Sequence, residues 1–331
     1  MLSAASWLGG AHARLRASLY AHGLLRARRL PVRALSVGTL HTAADPIATA
    51  WVARALERRG RRVAVATRVG RGLARGREEP VVVSDGRFLE SRAEVAGAAA
   101  MVLAAHAPRV PVLAGRDLQR AALRAVSAFG AEIVVLDDAF QQLSLARDCD
   151  VVVLDALGGI GGAGRPRAAR LREPLGALRR AGACLLIDGP LAESDAPRFA
   201  RAREPVRLFA ARRRPTALRA LRGRAPEPPE ALEGAVVGLI SELAEPAALR
   251  RCVEQLGARV VTQRSFRDHR RYGQRDMQYL YRNAPLWLAS EIDAVRINPA
   301  WIGRADVRVL SIELEVAQPA ELLDWIEERL A

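Results

Sequence analysis

Two apolar runs constrain the fold most. AEIVVLDD (131–138) and DVVVLDA (150–156) are nearly unbroken Val, Ile and Leu. A strand with one wet face alternates apolar and polar residues. An unbroken run needs cover on both faces, as a parallel strand has between two layers of helices. Their neighbours fit that setting. VRALSVG (32–38), RRVAVAT (61–67), EEPVVVSD (78–85) and VPVLAG (110–115) read as strands. Residues 46–59, 90–106 and 117–128 read as helices, the first ended by Gly60. Such alternation predicts a doubly wound, mostly parallel α/β sheet that binds ligands at the carboxyl ends of its strands. ACLLIDG (183–189) reads as the last strand of this unit, and the Pro- and Arg-rich segment 215–234 as a surface connection. Beyond it, GAVVGLI (234–240), a helix at 245–257, ARVVTQRSF (258–266), a helix at 273–283 and PLWLAS (285–290) repeat the alternation. The expected division is an N-terminal helix in 1–30, a larger α/β domain in 31–214 and a smaller one in 215–331.

The stretch SVGTLHTAADPIATAWVARAL (36–56) runs from a strand through a glycine into an amphipathic helix. That is the frame of a phosphate-cradling loop, so the larger domain is expected to be P-loop-like. The loop itself is poor in glycine and lacks lysine. Asp45 followed by Pro46 reads as a helix N-cap and first helical residue. In that arrangement the Asp45 carboxylate takes a backbone donor that a phosphate would use, and repels the phosphate by like charge.

Charge points to an anionic partner. All 51 basic residues of the 331 are arginine, 36 residues are acidic, and the formal net charge is +15. A base-composition bias also writes arginine for lysine, and the two readings are compatible. The arginines are spread along the chain without a nucleic-acid-binding motif, so no nucleic acid is expected as partner. Residues 6–28 read as a basic amphipathic helix. Leu8, Ala11, Leu15, Leu19 and His22 share one face, Trp7 and Tyr20 flank it, and Arg14, Arg16, Arg26, Arg28 and Arg29 supply charge. It suits either an anionic bilayer surface or packing on its own domain. No apolar run of 18 residues occurs, so no membrane-spanning helix is expected. Cys149, Cys184 and Cys252 have neither metal spacing nor an even count, which suits a reducing compartment.

Several groups have the chemistry for catalysis. Asp137 and Asp138 end a buried strand, where carboxylates can hold Mg²⁺ beside a phosphate or simply cap a turn. Arg172 and Glu173 suit a phosphate or metal neighbourhood, or form an exposed ion pair. Asp268 beside His269 can orient a general base. Glu291 and Asp293 follow a strand and are candidates for nucleotide or hinge contacts. GGIGGAG (158–164) contains a Gly-x-Gly-x-x-Gly pattern, but Arg165-Pro166-Arg167 follows where a dinucleotide fingerprint needs a helix, so it reads as a loop.

In order, these pieces resemble the tetraacyldisaccharide 4'-kinase family of lipid A biosynthesis. RLPVRALSVGTL is similar to that family's opening and TRVGRG (67–72) to its arginine-bearing loop. DDAFQQLSLARD resembles its Asp-Asp-Gly-Phe-Gln-His…Leu-x-x-Arg-Asp signature. LREPL, FRDH and SEIDAVRI resemble its Leu-Arg-Glu-Pro-Leu, Asp-His and Thr-Glu-Lys-Asp-Ala-Val-Lys segments. The resemblance implies an ATP- and Mg²⁺-dependent lipid phosphotransferase acting on the 4'-hydroxyl of a tetraacyldisaccharide 1-phosphate. It implies peripheral attachment to the cytoplasmic face of a Gram-negative inner membrane. It carries over catalytic roles to Asp138, Asp268, His269 and Glu173. Nucleotide or Mg²⁺ roles fall to Asp137, Asp138, Gln141, Glu291 and Asp293, with Asp138 as the metal ligand. Arg68, Arg147 and Arg172 are implied as substrate or phosphate contacts.

The departures are concentrated in the loop. The family's Gly-Gly-Thr-Gly-Lys-Thr-Pro falls on Ala43, Ala44, Asp45, Pro46, Ile47, Ala48 and Thr49. Ile47 stands at the lysine and Ala48 at the Mg²⁺-binding hydroxyl, while the family's Gly-Asp-Glu-Pro falls on Gly97-Ala98-Ala99-Ala100. Gln142 stands at the signature's His and Ile292 at the last segment's Lys. Two functions remain open: a kinase with a rebuilt nucleotide site, and a catalytically silent relative that binds lipid, nucleotide or protein at the membrane.

Overall fold

The computed structural model describes residues 15–41, 45–69, 76, 78–156, 159–160, 171–223, 225–242, 246–266 and 272–331, excluding the side chains of 242 and 246–248. A helix over 15–21 (α1) leads into β1 (Arg33–Thr39), α2 (Pro46–Arg58), β2 (Val63–Arg68) and β3 (Val81–Ser84). Then come α3 (Ala93–Ala96), α4 (Ala98–His106), β4 (Val112–Gly115), α5 (Leu118–Phe129), β5 (Ile133–Asp137), β6 (Cys149–Asp155), β7 (Ala183–Ile187), α6 (Ala196–Arg203) and β8 (Arg207–Ala220). The chain continues through β9 (Val236–Glu242), α7 (Pro246–Gln255), β10 (Arg259–Phe266), α8 (Gln274–Met277), β11 (Leu286–Ala289), α9 (Glu291–Ala294), β12 (Asp306–Val316) and α10 (Pro319–Leu330).

The strands form one sheet of order β10-β9-β11-β12-β8-β7-β6-β1-β5-β2-β4-β3. From β4 to β8 every pairing is parallel, as the unbroken Val/Leu runs require. β5 and β6 lie on either side of β1, so the loop after β1 sits where the connections diverge. That switch point is where open α/β sheets bind ligands. On one face α2, α4 and α10 pack around Leu35, Leu56, Leu103 and Trp325; on the other, α5 covers Leu113, Val134 and Leu136. Beyond β8, the strands β12, β11, β9 and β10 are parallel to one another, but β12 runs antiparallel to β8; at the other edge β3 runs antiparallel to β4.

Local chemistry sets the element ends. Asp45 caps α2 by accepting from the Ala48 amide at 3.0 Å, Pro46 starts the helix, and Gly60 ends the turn after it with φ +82°. In β1, a Cβ at Gly38 would lie 2.8 Å from the Phe140 Cβ and 2.9 Å from its amide. Only glycine lets the turn after β5 lie this close to β1, and that turn carries the aspartate pair.

Four expectations are corrected. The N-terminal helix does not extend to residue 28: among the described residues it ends at 21, where Gly23 turns the chain with φ +73°. The helix expected over 90–106 is two helices, broken at Gly97 with φ +92°. The helix expected at 273–283 is the short α8 followed by a 3₁₀ turn, Leu280–Arg282. Finally, β7 is not the last strand of its unit. Arg207–Ala220 forms β8, pairing with β7 and β12, so the start of the expected surface connection is strand. Pro215 misled the reading because proline argues against a strand. Here it sits beside a register shift opposite Ser311 and Ile312, where the missing N–H is tolerated. The boundary expected between 214 and 215 falls inside this strand. β12 and α10 were not anticipated.

Candidate functional site

The two aspartates after β5 face different environments. Asp137 is 3% exposed, and both its carboxylate oxygens accept hydroxyls: Thr49 Oγ1 from α2 and Thr67 Oγ1 from β2, each at 2.7 Å. Burial pushes its pKa up to about 6, with the threonine hydrogen bonds opposing. Asp138 has φ +50°, its amide donating to the Val37 carbonyl at 2.8 Å. An αL aspartate is uncommon, and this geometry turns the side chain away from Asp137. Both Asp138 oxygens accept from Arg172 Nη1 at 2.7 Å, and the same guanidinium lies 3.4 Å from Gln141 Oε1. Burial raises the Asp138 pKa, and the charges of Arg172 and Arg68 counter it.

A second cluster lies at the N-terminus of α2. Arg213, from β8, donates to Asp188 at 2.7 Å, to Asp155 at 3.0 Å and to Asp45 at 3.1 Å. Asp155 ends β6 and Asp188 follows β7 with φ +60°; the Arg213 amide also donates to Asp188, at 2.7 Å. Asp45 therefore bridges the first turn of α2 and a guanidinium from β8, 168 residues away in the chain.

The remaining candidates separate. Glu173 pairs with Arg180 at 2.5 Å rather than with its neighbour Arg172. Arg147 is enclosed by Asp150 and the carbonyls of Gln142 and Leu145, so its donors face protein. Arg68 donates to the Gln142 side chain. Glu291 meets His106 at 2.8 Å and Arg219 at 2.9 Å, tying α9 to α4. Asp293 accepts from Tyr272 and, at 2.6 Å, from Ser290; burial raises it to about 6. Ile47, Ala48 and Pro46 sit in the first turn of α2. Ala43, Ala44, Asp268 and His269 lie outside the described residues. Among the described residues no group of three or more His, Cys, Asp or Glu side chains could hold a metal ion.

Sequence reasoning missed Arg213, Asp155, Asp188, His106 and Thr67. Asp155 and Asp188 carry the same signal as Asp137, a carboxylate just past an apolar strand. Arg213 is one of three consecutive arginines, and nothing local marks it.

Beside Arg68 opens a cavity of about 650 Å³, lined by five arginines, Arg26, Arg68 and Arg116 among them, against Glu78 and Asp117. Arg26 and Arg116 line this cavity and make no hydrogen bond or ion pair among the described residues.

Asp137 and Asp293 make stability depend on pH. Each carboxyl holds its proton more tightly folded than unfolded. The stability this contributes is complete below the ordinary value of 3.8 and is lost as pH rises through about 6. Going from about pH 7 to about pH 5 should stabilise the fold by about 1 kcal/mol per group. Urea unfolding at the two pH values measures this, and Asp137→Asn with Asp293→Asn should abolish the gain. An unchanged pH dependence in that double variant contradicts it.

The family profile described as LpxK: Tetraacyldisaccharide-1-P 4'-kinase matches residues 1–331. A tetraacyldisaccharide 4'-kinase of Anaeromyxobacter dehalogenans (strain 2CP-C) is 39% identical over 332 residues, covering 95% of this chain and 86% of its own. One of Geobacter sulfurreducens is 30% identical over 321 residues, covering 95% and 89%. Among solved structures, the "apo" form LpxK from Aquifex aeolicus in complex with ATP superimposes with a TM-score of 0.71 over 100% of both chains, at 24% identity. That likeness establishes the shared fold.

Proposed function

Because the chain belongs to the tetraacyldisaccharide 4'-kinase family of lipid A biosynthesis, we propose that it binds that family's lipid, an acylated disaccharide 1-phosphate, without transferring phosphate from ATP at an appreciable rate. The observation that carries this is the first turn of α2. Its Ala48 amide is capped by Asp45, which is in turn held by Arg213, and Ile47 stands where a P-loop places lysine. A P-loop works through backbone N–H groups, a helix dipole and a lysine converging on phosphate. Here a carboxylate takes one of those donors.

ATP and Mg²⁺ do not fit the residues present. Asp137 accepts two hydroxyls and Asp138 is bound on both oxygens by Arg172, so neither offers a ready metal-binding oxygen. Phosphoryl transfer depends on positioning and charge stabilisation, so simultaneous loss of the loop lysine and the metal-binding hydroxyl removes most of the rate.

The cavity beside Arg68 supports a phosphorylated headgroup as ligand, since its arginines outnumber its acids. Attachment to the cytoplasmic face of the inner membrane follows from the same reading. Leu24 and Leu25 are exposed next to Arg26, Arg28 and Arg29, apolar contact beside positive charge. No helix among the described residues is long and apolar enough to cross a membrane.

A second reading retains transfer of the ATP γ-phosphate to the 4'-hydroxyl with Mg²⁺. It is favoured by the intact Asp138–Arg172–Gln141 constellation. One assay separates the two: purified chain, tetraacyldisaccharide 1-phosphate, ATP and Mg²⁺, followed for 4'-phosphorylated product. We expect lipid binding without turnover. Turnover that Asp138→Ala abolishes rejects the proposal.

A further inference from the structure

We infer that the Asp45–Arg213 ion pair is an autoinhibitory contact that occupies the N-terminus of α2 with the protein's own charges and closes it to polyphosphates. The inference rests on the reading of this loop as a former nucleotide site and supplies the cause of its closure. Asp45 contributes one oxygen to each side of the contact. Oδ1 accepts the Ala48 amide at 3.0 Å, and Oδ2 accepts Arg213 Nη2 at 3.1 Å. In a working loop, a phosphate oxygen bridges the first-turn amides and a cation. Asp45 makes the same two kinds of contact from within the chain.

Arg213 cannot simply serve a nucleotide as a substitute lysine. Its guanidinium already faces Asp155 and Asp188 as well as Asp45, three carboxylates gathered by one cation. The Asp45, Asp155 and Asp188 side chains are 13%, 18% and 19% exposed, so water screens them weakly. A polyphosphate at the first turn of α2 meets the like charge of Asp45 at the Ala48 amide. The closure is built from β6, β7, β8 and α2 together, so it is a property of the fold rather than of the loop alone.

Removing the charge while keeping the cap tests the inference. Asn and Ser both cap helices, so Asp45→Asn and Asp45→Ser should leave α2 intact. Arg213 keeps Asp155 and Asp188 in either variant. Calorimetric titration of the full chain and both variants with ATP–Mg²⁺ and with inorganic pyrophosphate reads the effect. Circular dichroism and thermal unfolding confirm that each variant is folded. We expect at least tenfold tighter polyphosphate binding in both variants than in the parent chain. Equal affinity in all three folded proteins, including no detectable binding in any, overturns the inference. Kinase turnover by the parent chain counts instead against the proposed function, and leaves the comparison of affinities to decide this point.

Discussion

Arg213→Ala should destabilise the protein by about 3 kcal/mol, lowering the thermal midpoint by roughly 6 °C for a chain of this size. The substitution removes the guanidinium that Asp45, Asp155 and Asp188 share, and with it the ion pair that each of these weakly solvated carboxylates makes with Arg213. Removing one partner of a weakly solvated pair costs more than the pair ever contributed, because the remaining charge has no replacement for its lost water. Arg213→Lys is a useful contrast. It keeps the charge but lacks the planar fork that reaches separate carboxylates with separate nitrogens, so it should fall between alanine and the parent. A midpoint within 1 °C of the parent for Arg213→Ala would show that the cluster is solvated enough not to need its counter-ion.

Arg116→Glu should weaken binding of the tetraacyldisaccharide 1-phosphate by about 30-fold, or ~2 kcal/mol. Arg116 lines the basic cavity without a partner among the described residues, so its reversal changes the cavity by two charges. Arg87→Glu makes the same change in net charge on the exposed turn after β3 and is the control for general attraction. Vesicle or calorimetric titration with the purified lipid measures both. Equal losses in the two variants would assign the binding to overall charge and remove the cavity from the reading. A loss confined to Arg116→Glu that shrinks in high salt is the expected pattern.

How much was legible follows from how local each signal is. The parallel core was legible because unbroken runs such as IVVL and VVVL can be covered only between helices. The cap on α2 was legible because Asp-Pro before an amphipathic run has one favourable geometry, and the structure has it. The aspartate pair was visible as a pair, but its division of labour was not. The two threonines that hold Asp137 come from α2 and β2, 88 and 70 residues away. β8 was hidden because its proline and arginines mimic a surface connection. The strand exists because β7 and β12 offer ladders on both sides and a register shift accommodates Pro215.

The sequence by itself determined what lies within about one turn or one strand of each residue: the buried parallel strands and the helix cap. It also carried enough ordered motifs to indicate the family. Only the tertiary structure decided where the charges go. Asp45 meets Arg213 across 168 residues, Asp138 meets Arg172 across 34, and Glu291 meets His106 across 185. A weakly screened charge acts on whatever the fold brings within a few ångströms of it, and sequence separation says nothing of that distance.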